Sequence, residues 1–263
     1  MAPEFLVTKE YRRFAEFCDA CRRYRYIGLC YGPPGVGKTL SARHYARWDL
    51  LEPAVERPFT AVPPEAVACR SVVYTPTVDN TPRQVGQEVR RLTHDLSLAV
   101  WLAQAPDPDT AAYPHRLADV TQLVLVDEAD RLKMPGLEQL RDVYDRGALG
   151  LVLIGMPGLE KRLARYPQLY SRVGFVHQFR PLSADELRFI LAHHWARLGQ
   201  TLSPDDFTDA EALAAVARIT GGNFRLVQRL FAQIERVLQI NALRTVTKEV
   251  VETARESLVI GSL

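Results

Sequence analysis

The sequence predicts an α/β fold, a five-stranded parallel sheet sandwiched by helices, followed by an all-helical C-terminal lid. Three observations predict it. Five short, continuously apolar runs alternate with stretches of helical spacing, the pattern of strands covered on both faces. A glycine-rich loop, Gly32-Pro-Pro-Gly-Val-Gly-Lys-Thr39, joins the first run to the helix after it. Beyond Pro181 the strand-like runs cease and helix-capping signals replace them. The expected domains are therefore residues 1–181 and 182–263.

In chain order, Thr8 precedes a lead-in helix with Tyr11, Phe14, Phe17 or Cys18, and Cys21 on one stripe, and mainly Arg12, Arg13, Glu16, Arg22 and Arg23 on the other. Tyr26–Tyr31 reads as the first strand, and helical spacing resumes from Lys38 to about Trp48. Pro53, Pro58, Pro63 and Pro64 predict an extended loop over 52–65, before a second strand at Cys69–Tyr74. Thr81 as N-cap and Pro82 at the first helical position open a helix carrying Val85, Val89, Leu92 and Leu96. Ala105–Thr110 breaks the chain ahead of a third strand, Gln122–Val126. A helix over Leu137–Tyr144, a fourth strand at Gly150–Ile154, a helical stretch from about Gly158 to Tyr170 and a fifth strand at Gly174–Phe179 follow. In the last domain Ser183-Ala-Asp-Glu186 and Thr208-Asp-Ala-Glu211 read as capping boxes, and Asn223 and Thr247 as further caps. No repeat or low-complexity tract is visible.

Composition sets outer bounds. A chain of 263 residues, 47% hydrophobic and 24% charged, is an ordinary globular protein, which excludes disordered and fibrous classes. The balance of 33 Lys plus Arg against 31 Asp plus Glu leaves +2, too little to announce a nucleic-acid partner. Only five of the basic residues are Lys. No apolar run approaches the roughly 20 residues of a membrane span, and the N-terminus lacks a signal peptide's apolar core, so a cytoplasmic protein with no membrane partner is expected. Cys18-x-x-Cys21 reads either as half a zinc site or as two small apolar residues on one helix face; Cys30 and Cys69 supply no second ligand pair at that spacing.

The glycine loop carries the chemistry. Its eight residues, Gly32, Pro33, Pro34, Gly35, Val36, Gly37, Lys38 and Thr39, match the G-x-x-x-x-G-K-[ST] pattern between a strand and a helix, the context of a phosphate-binding loop. Backbone N–H groups cradle phosphates, Lys38 reaches the β and γ phosphates, and the Thr39 hydroxyl ligates magnesium, which makes ATP and Mg2+ the expected cofactors. Leu123-Val-Leu-Val-Asp127-Glu128 supplies the second half: Asp127 as a magnesium group, and Glu128 as the base for the attacking water. Two arginines are placed to stabilise a triphosphate transition state. Arg172, just before the fifth strand, would project to a neighbouring subunit's nucleotide; Arg225, in Gly221-Gly-Asn-Phe-Arg225, would reach the γ phosphate of its own subunit.

This set of motifs resembles the AAA+ ATPases over nearly the whole chain. Within that superfamily the sequence is similar to the transposition regulators of the TnsC, TniB and phage Mu B type. The supporting residues are the lead-in helix running into Ile27-Gly-Leu-Cys-Tyr-Gly-Pro-Pro-Gly35, the block Val126-Asp-Glu-Ala-Asp-Arg-Leu132, and Val152-Leu-Ile-Gly-Met-Pro-Gly-Leu-Glu160. The resemblance implies assembly with copies of itself as rings or helical filaments on double-stranded DNA. It also implies marking of target sites, recruitment of a transposase, and disassembly driven by ATP hydrolysis. One departure is visible: where AAA+ enzymes carry a polar residue after the fourth strand, this chain has Gly155-Met156-Pro157, so hydrolysis is expected to be slow and stimulated by assembly.

The same resemblance puts the DNA contacts in Thr75-Pro-Thr-Val-Asp-Asn-Thr-Pro-Arg83 and the helix it opens, with Arg83 first, Thr81 beside it, and Arg90 and Arg91 next. One copy carrying +2 binds DNA weakly, whereas many copies in register give a salt-sensitive, sequence-tolerant interface. The stretch Thr110–Asp119, the basic residues of the lead-in helix and the tail Ser257–Leu263 are candidate contacts for a transposase or targeting factor. Two other readings stay open. One is an AAA+ ATPase serving a replication initiator, helicase-loading or secretion client; such proteins usually add a winged helix or membrane segment, which this sequence is not expected to contain. The other is a nucleotide-gated interaction protein with little hydrolysis.

Overall fold

The computed structural model describes residues 5–56, 62–104, 117–199, 203 and 206–258. The chain divides into two compact units, one of residues 11–32 and 38–179, the other of residues 1–10, 33–37 and 180–263. The first holds a five-stranded sheet of β1 (Ile27–Tyr31), β2 (Ser71–Tyr74), β3 (Leu123–Val126), β4 (Gly150–Gly155) and β5 (Val173–Gln178). The strand order is β2-β3-β4-β1-β5, and every pairing is parallel. Every residue of β2, β3 and β4 is buried, as continuous apolar runs require of strands covered on both faces. The fifth strand departs from that expectation. It alternates half-buried and exposed residues because only one of its faces is covered: Phe175 and His177 lie against Tyr24, Phe14 and Phe17, while Gly174, Val176 and Gln178 are exposed.

Around the sheet run α1 (Lys9–Tyr24), α2 (Lys38–Tyr45), α3 (Trp48–Glu56), α4 (Pro64–Ala68), α5 (Pro82–Gln104), α6 (Met134–Arg146), α7 (Leu159–Leu163) and α8 (Pro167–Tyr170). In α1 the stripe Phe14, Phe17, Cys18 and Cys21 is buried, and burial raises both thiol pKa values, that of Cys21 to about 12. The expected loop over 52–65 is corrected at both ends. Helix α3 continues to Glu56 through Pro53, because Leu51, Ala54 and Val55 bury apolar surface that outweighs the backbone bond proline cannot make. Pro64 opens α4 at a position where the missing N–H costs nothing. The single helix expected after Lys38 is interrupted near Arg47, whose backbone is left-handed. The stretch 158–170 forms two short helices, the second opened by Pro167. The break expected at 105–110, most of the 110–119 stretch and residues 259–263 of the tail lie outside the described residues.

The second unit contains α9 (Ala184–Arg197), α10 (Phe207–Thr220), α11 (Phe224–Ile240) and α12 (Lys248–Glu256). Ser183 and Glu186 form a full capping box, and Asn223 and Thr247 accept from Leu226 N and Val250 N. The box expected at Thr208 is not formed. Asp206 accepts from the N–H groups of Thr208 and Asp209, so the helix begins earlier, Thr208 lies inside its first turn, and Glu211 pairs with Lys248 instead. The core is apolar, with Ile190, Leu191, Trp195, Val216, Val227, Leu230, Ile234 and Val251 among its members. Among the described residues no helix is long and apolar enough to cross a membrane.

Candidate functional site

The glycine loop leaves the carboxyl end of β1. Gly32 N donates to Gly155 O at 3.3 Å, tying the loop's start to the end of β4. Gly35 and Gly37 adopt φ of +78° and +109°, and α2 begins at once with Lys38. Left-handed residues alternating before a helix start turn backbone N–H groups to one side, the geometry of an anion nest. At Gly37 the backbone angle alone demands glycine, since nothing lies within 4 Å of where a Cβ would stand. The Lys38 ammonium donates to Gly32 O at 2.6 Å, folding over the loop. Thr39 is exposed in the first turn of α2.

At the end of β3, Asp127 N donates to Tyr74 O at 2.9 Å and the Asp127 side chain is buried, its Oδ1 accepting from Glu128 N at 2.9 Å. Strands β3 and β1 flank β4, so their carboxyl ends lie two strand spacings apart, roughly 10 Å. Glu128 is left-handed, at φ +50° and ψ +42°, and its carboxylate is ion-paired with Arg131 at the end of a single 3-10 turn, Ala129–Arg131. Behind it, Asp130 Oδ2 accepts from Met156 N at 2.6 Å, and a Cβ on Gly155 would stand 2.4 Å from that oxygen. The end of β4, which lacks a polar side chain, thus borrows the carboxylate of Asp130. Sequence reasoning assigned no role to Asp130 or Arg131. The available signal was a run of charges one helical turn beyond the strand.

Arg172 sits at the other end of the sheet. Its carbonyl accepts from Ile27 N at 3.1 Å, which places it at the amino end of β1, the length of that five-residue strand, roughly 15 Å, from the glycine loop. Its guanidinium clamps Asp145 through Nε at 2.6 Å and Nη2 at 3.0 Å, and also donates to Gln168 O. These bonds hold the Asp145 carboxyl below its ordinary pKa, and Arg141 shares the same carboxylate. Nearby, Arg22, Arg23, Arg25 and Arg70 line a cavity of about 460 Å³.

Within the second unit, which includes residues 33–37, Asn223 Nδ2 donates to Pro34 O and Arg225 N to Gly35 O, both at 2.9 Å. A Cβ at Gly35 would fall 2.5 Å from Asn223 Oδ1, a second demand for glycine there. Asn223, read from sequence only as a cap, therefore also binds the loop. Arg225 is exposed, with no carboxylate partner among the described residues.

On α5, Thr81 and Gln84 bond reciprocally, Thr81 N to Gln84 Oε1 at 2.8 Å and Gln84 N to Thr81 Oγ1 at 3.3 Å. Arg83 and Arg90, seven residues apart and so on one face, are exposed and lack a carboxylate partner among the described residues. Arg91 differs: Glu88 at 3.0 Å and Asp95 at 3.2 Å already neutralise it.

Comparison with known proteins agrees with this geometry. Residues 21–163 match the family model described as AAA domain. A "Potential ATP-binding protein" of Staphylococcus aureus is 46% identical, covering 98% of this chain and 97% of that one. The "Mu-like prophage FluMu DNA transposition protein B" of Haemophilus influenzae is 22% identical over 88% of this chain and 72% of its own. Among solved structures, the Thermotoga maritima RuvB Holliday junction branch migration motor superposes with a TM-score of 0.59 at 17% identity, covering 97% of this chain and 70% of that one, a likeness of fold.

Proposed function

The chain belongs to the AAA domain family of ATPases, and within it we propose an ATP-dependent, DNA-binding regulator of DNA transposition. It assembles as rings or helical filaments on duplex DNA, marks target sites and recruits or activates a transposase. ATP hydrolysis drives its disassembly. The observation that carries the reading is the presence in one unit of Lys38 and the carboxylate pair Asp127–Glu128 together with the uncompensated arginines of α5. The relative named for DNA transposition supports the choice of client.

In this reading the N–H groups of 32–39 and Lys38 hold the phosphates. Thr39 and Asp127 offer the hard oxygen donors that magnesium prefers, and the ion would neutralise phosphate charge there. Glu128 accepts the proton of the attacking water. Arg225 stabilises the γ phosphate of its own subunit. Arg172, a strand's length from its own loop, serves a neighbouring subunit, which makes hydrolysis depend on assembly. Arg83 and Arg90 contact DNA phosphates; Arg91, already paired, contributes less. The slow-turnover reading, a nucleotide-gated interaction protein, is favoured by one feature, the missing polar side chain at Met156.

Electron microscopy of the protein with duplex DNA tests the proposal. Rings or filaments with a nonhydrolysable ATP analogue but not with ADP are expected, and monomers under both conditions contradict it. Arg83→Glu should lower DNA affinity about tenfold or more in fluorescence anisotropy while leaving nucleotide affinity unchanged, since many copies multiply the loss of one phosphate contact each. Unchanged DNA affinity removes Arg83 from the interface.

A further inference from the structure

The cavity of about 460 Å³ at the amino ends of the strands is built from the residues that lead into four of them. Arg25 precedes β1, Arg70 β2, Gln122 β3 and Ala148 β4, and the last turn of α1 adds Arg22 and Arg23. No carboxylate lines it. Arg22 is held on Asp19 at 2.9 Å, whereas Arg23, Arg25 and Arg70 have no carboxylate partner among the described residues. The nearby carbonyls are already occupied: Arg25 O accepts from Tyr144 Oη at 2.7 Å, Arg70 O from Gln122 N at 2.8 Å and Gln122 O from Gly150 N at 2.8 Å. The recess therefore presents mainly donors. Three uncompensated guanidiniums held together repel one another, and an anion between them relieves that repulsion.

Five non-glycine residues among those described have positive φ, and two of them, Arg25 at +53° and Arg70 at +45°, line this recess. Arginine adopts that backbone less readily than Asn or Gly, so neither residue stands there for the turn's sake. The rim is aromatic. The Arg23 guanidinium lies 5.7 Å from the centre of the Tyr24 ring, and Tyr24 and Tyr26, 58% and 46% exposed, both pack on Phe175. Exposed Arg and Tyr side by side, without Lys or Glu, is the composition of a protein-binding surface. We propose that this recess docks an acidic segment of a protein partner, its carboxylates forked by Arg25 and Arg70 and an apolar neighbour laid on Tyr24. A duplex carries its phosphates on a convex backbone, whereas an extended peptide lowers carboxylates into a recess. The recess serves a partner of that chemistry whether or not the chain acts in transposition.

The test is fluorescence anisotropy of the full chain with a labelled synthetic peptide in which Asp and Glu alternate with Phe and Leu, and with its Asn and Gln counterpart. The acidic peptide should bind and the amide peptide should not. Arg25→Asn/Arg70→Asn should weaken the acidic peptide about tenfold or more, the scale of two lost ion pairs, while affinity for duplex DNA stays unchanged. Asn accepts left-handed backbone, so this variant should melt no lower than wild type. If it fails to fold, Arg23→Gln, on ordinary helical backbone, should show the same loss on a smaller scale. Arg83→Asn/Arg90→Asn should leave peptide affinity intact. The proposal falls if the acidic peptide does not bind, if the amide peptide binds equally, or if both double variants weaken the peptide alike. It falls too if tripolyphosphate displaces the peptide at lower concentration than the unlabelled peptide does, which would make phosphate the ligand, or if Arg25→Asn/Arg70→Asn weakens DNA as much as peptide, which would make the surface one for nucleic acid.

Discussion

At the carboxyl ends of the strands the charged groups mostly bond to backbone, whereas at the amino ends they mostly bond to one another. Lys38 is held on Gly32 O, Asp127 on Glu128 N and Asp130 on Met156 N, each with a distance of 2.6–2.9 Å. Arg172, Asp145 and Arg141 instead form a partly exposed side-chain network, beside the cavity lined by four arginines. A charge bonded to backbone is preorganised and pays little to reorganise, which suits chemistry within the chain. A charge held only by another exposed side chain exchanges partners cheaply, which suits contact with a second molecule. Glu128 and Arg131 are the exception at the carboxyl end, two side chains paired with one another, although Arg131 is also held on Pro76 O.

Substitutions at each end should behave differently if that contrast holds. The largest effect belongs to the fixed end. Lys38→Ala should reduce kcat/KM for ATP by about 1,000-fold or more, through lost phosphate binding, as read by titration with a fluorescent ATP analogue and by phosphate release. A variant that still binds ATP normally would mean the loop's backbone suffices. Arg172→Ala should leave ATP affinity intact yet slow hydrolysis about 1,000-fold, the lower end of what a transition-state arginine supplies. Mixing it with Glu128→Gln decides where the arginine acts. At interfaces pairing an intact Glu128 on one subunit with an intact Arg172 on the other, activity should return, and no recovery would place Arg172 outside the reaction.

The smallest effect concerns the pair itself. Asp145→Ala should cost no more than about 1 kcal/mol of stability, because the pair is partly exposed and screened by salt. Its pH dependence has a definite sign. The Asp145 carboxyl is depressed in the folded state, chiefly by Arg172, so its contribution is present above the ordinary carboxylate pKa, near pH 4, and is lost as pH falls through the lower folded value. Thermal melts of wild type and Asp145→Ala should therefore converge at acid pH. A gap that persists unchanged at acid pH would show that Asp145 stabilises by some route other than its charge.

How much was readable in advance varied with the range of the interaction. The glycine loop, the strand before it and the helix after it are written in consecutive residues, as are the Ser183 box and the Asn223 and Thr247 caps. Errors arose where two local signals competed. At 206–208 both Asp and Thr are cap residues, and the sequence holds no measure of which one the helix adopts. At Pro53 a local breaker lost to the burial of Leu51, Ala54 and Val55. On α5 the arginines look alike in sequence, yet Arg91 is neutralised by Glu88 and Asp95, three and four residues away along the helix.

The sequence by itself determined the alternation of strands and helices, the eight residues of the glycine loop, and the Asp-Glu pair ending an apolar strand. Each depends on backbone preferences and hydrophobic spacing within a few residues. Only the tertiary structure decided that β4 lies between β1 and β3, that Asp130 serves the end of β4, that Arg172 stands a strand's length from the loop, and that Arg131 holds both Glu128 and Pro76 O. Most of these relations join residues dozens of positions apart, and strand order, which no local preference specifies, sets which of them meet. Even the Glu128–Arg131 pair, three residues apart, depends on a left-handed turn that its residue types do not ordinarily favour.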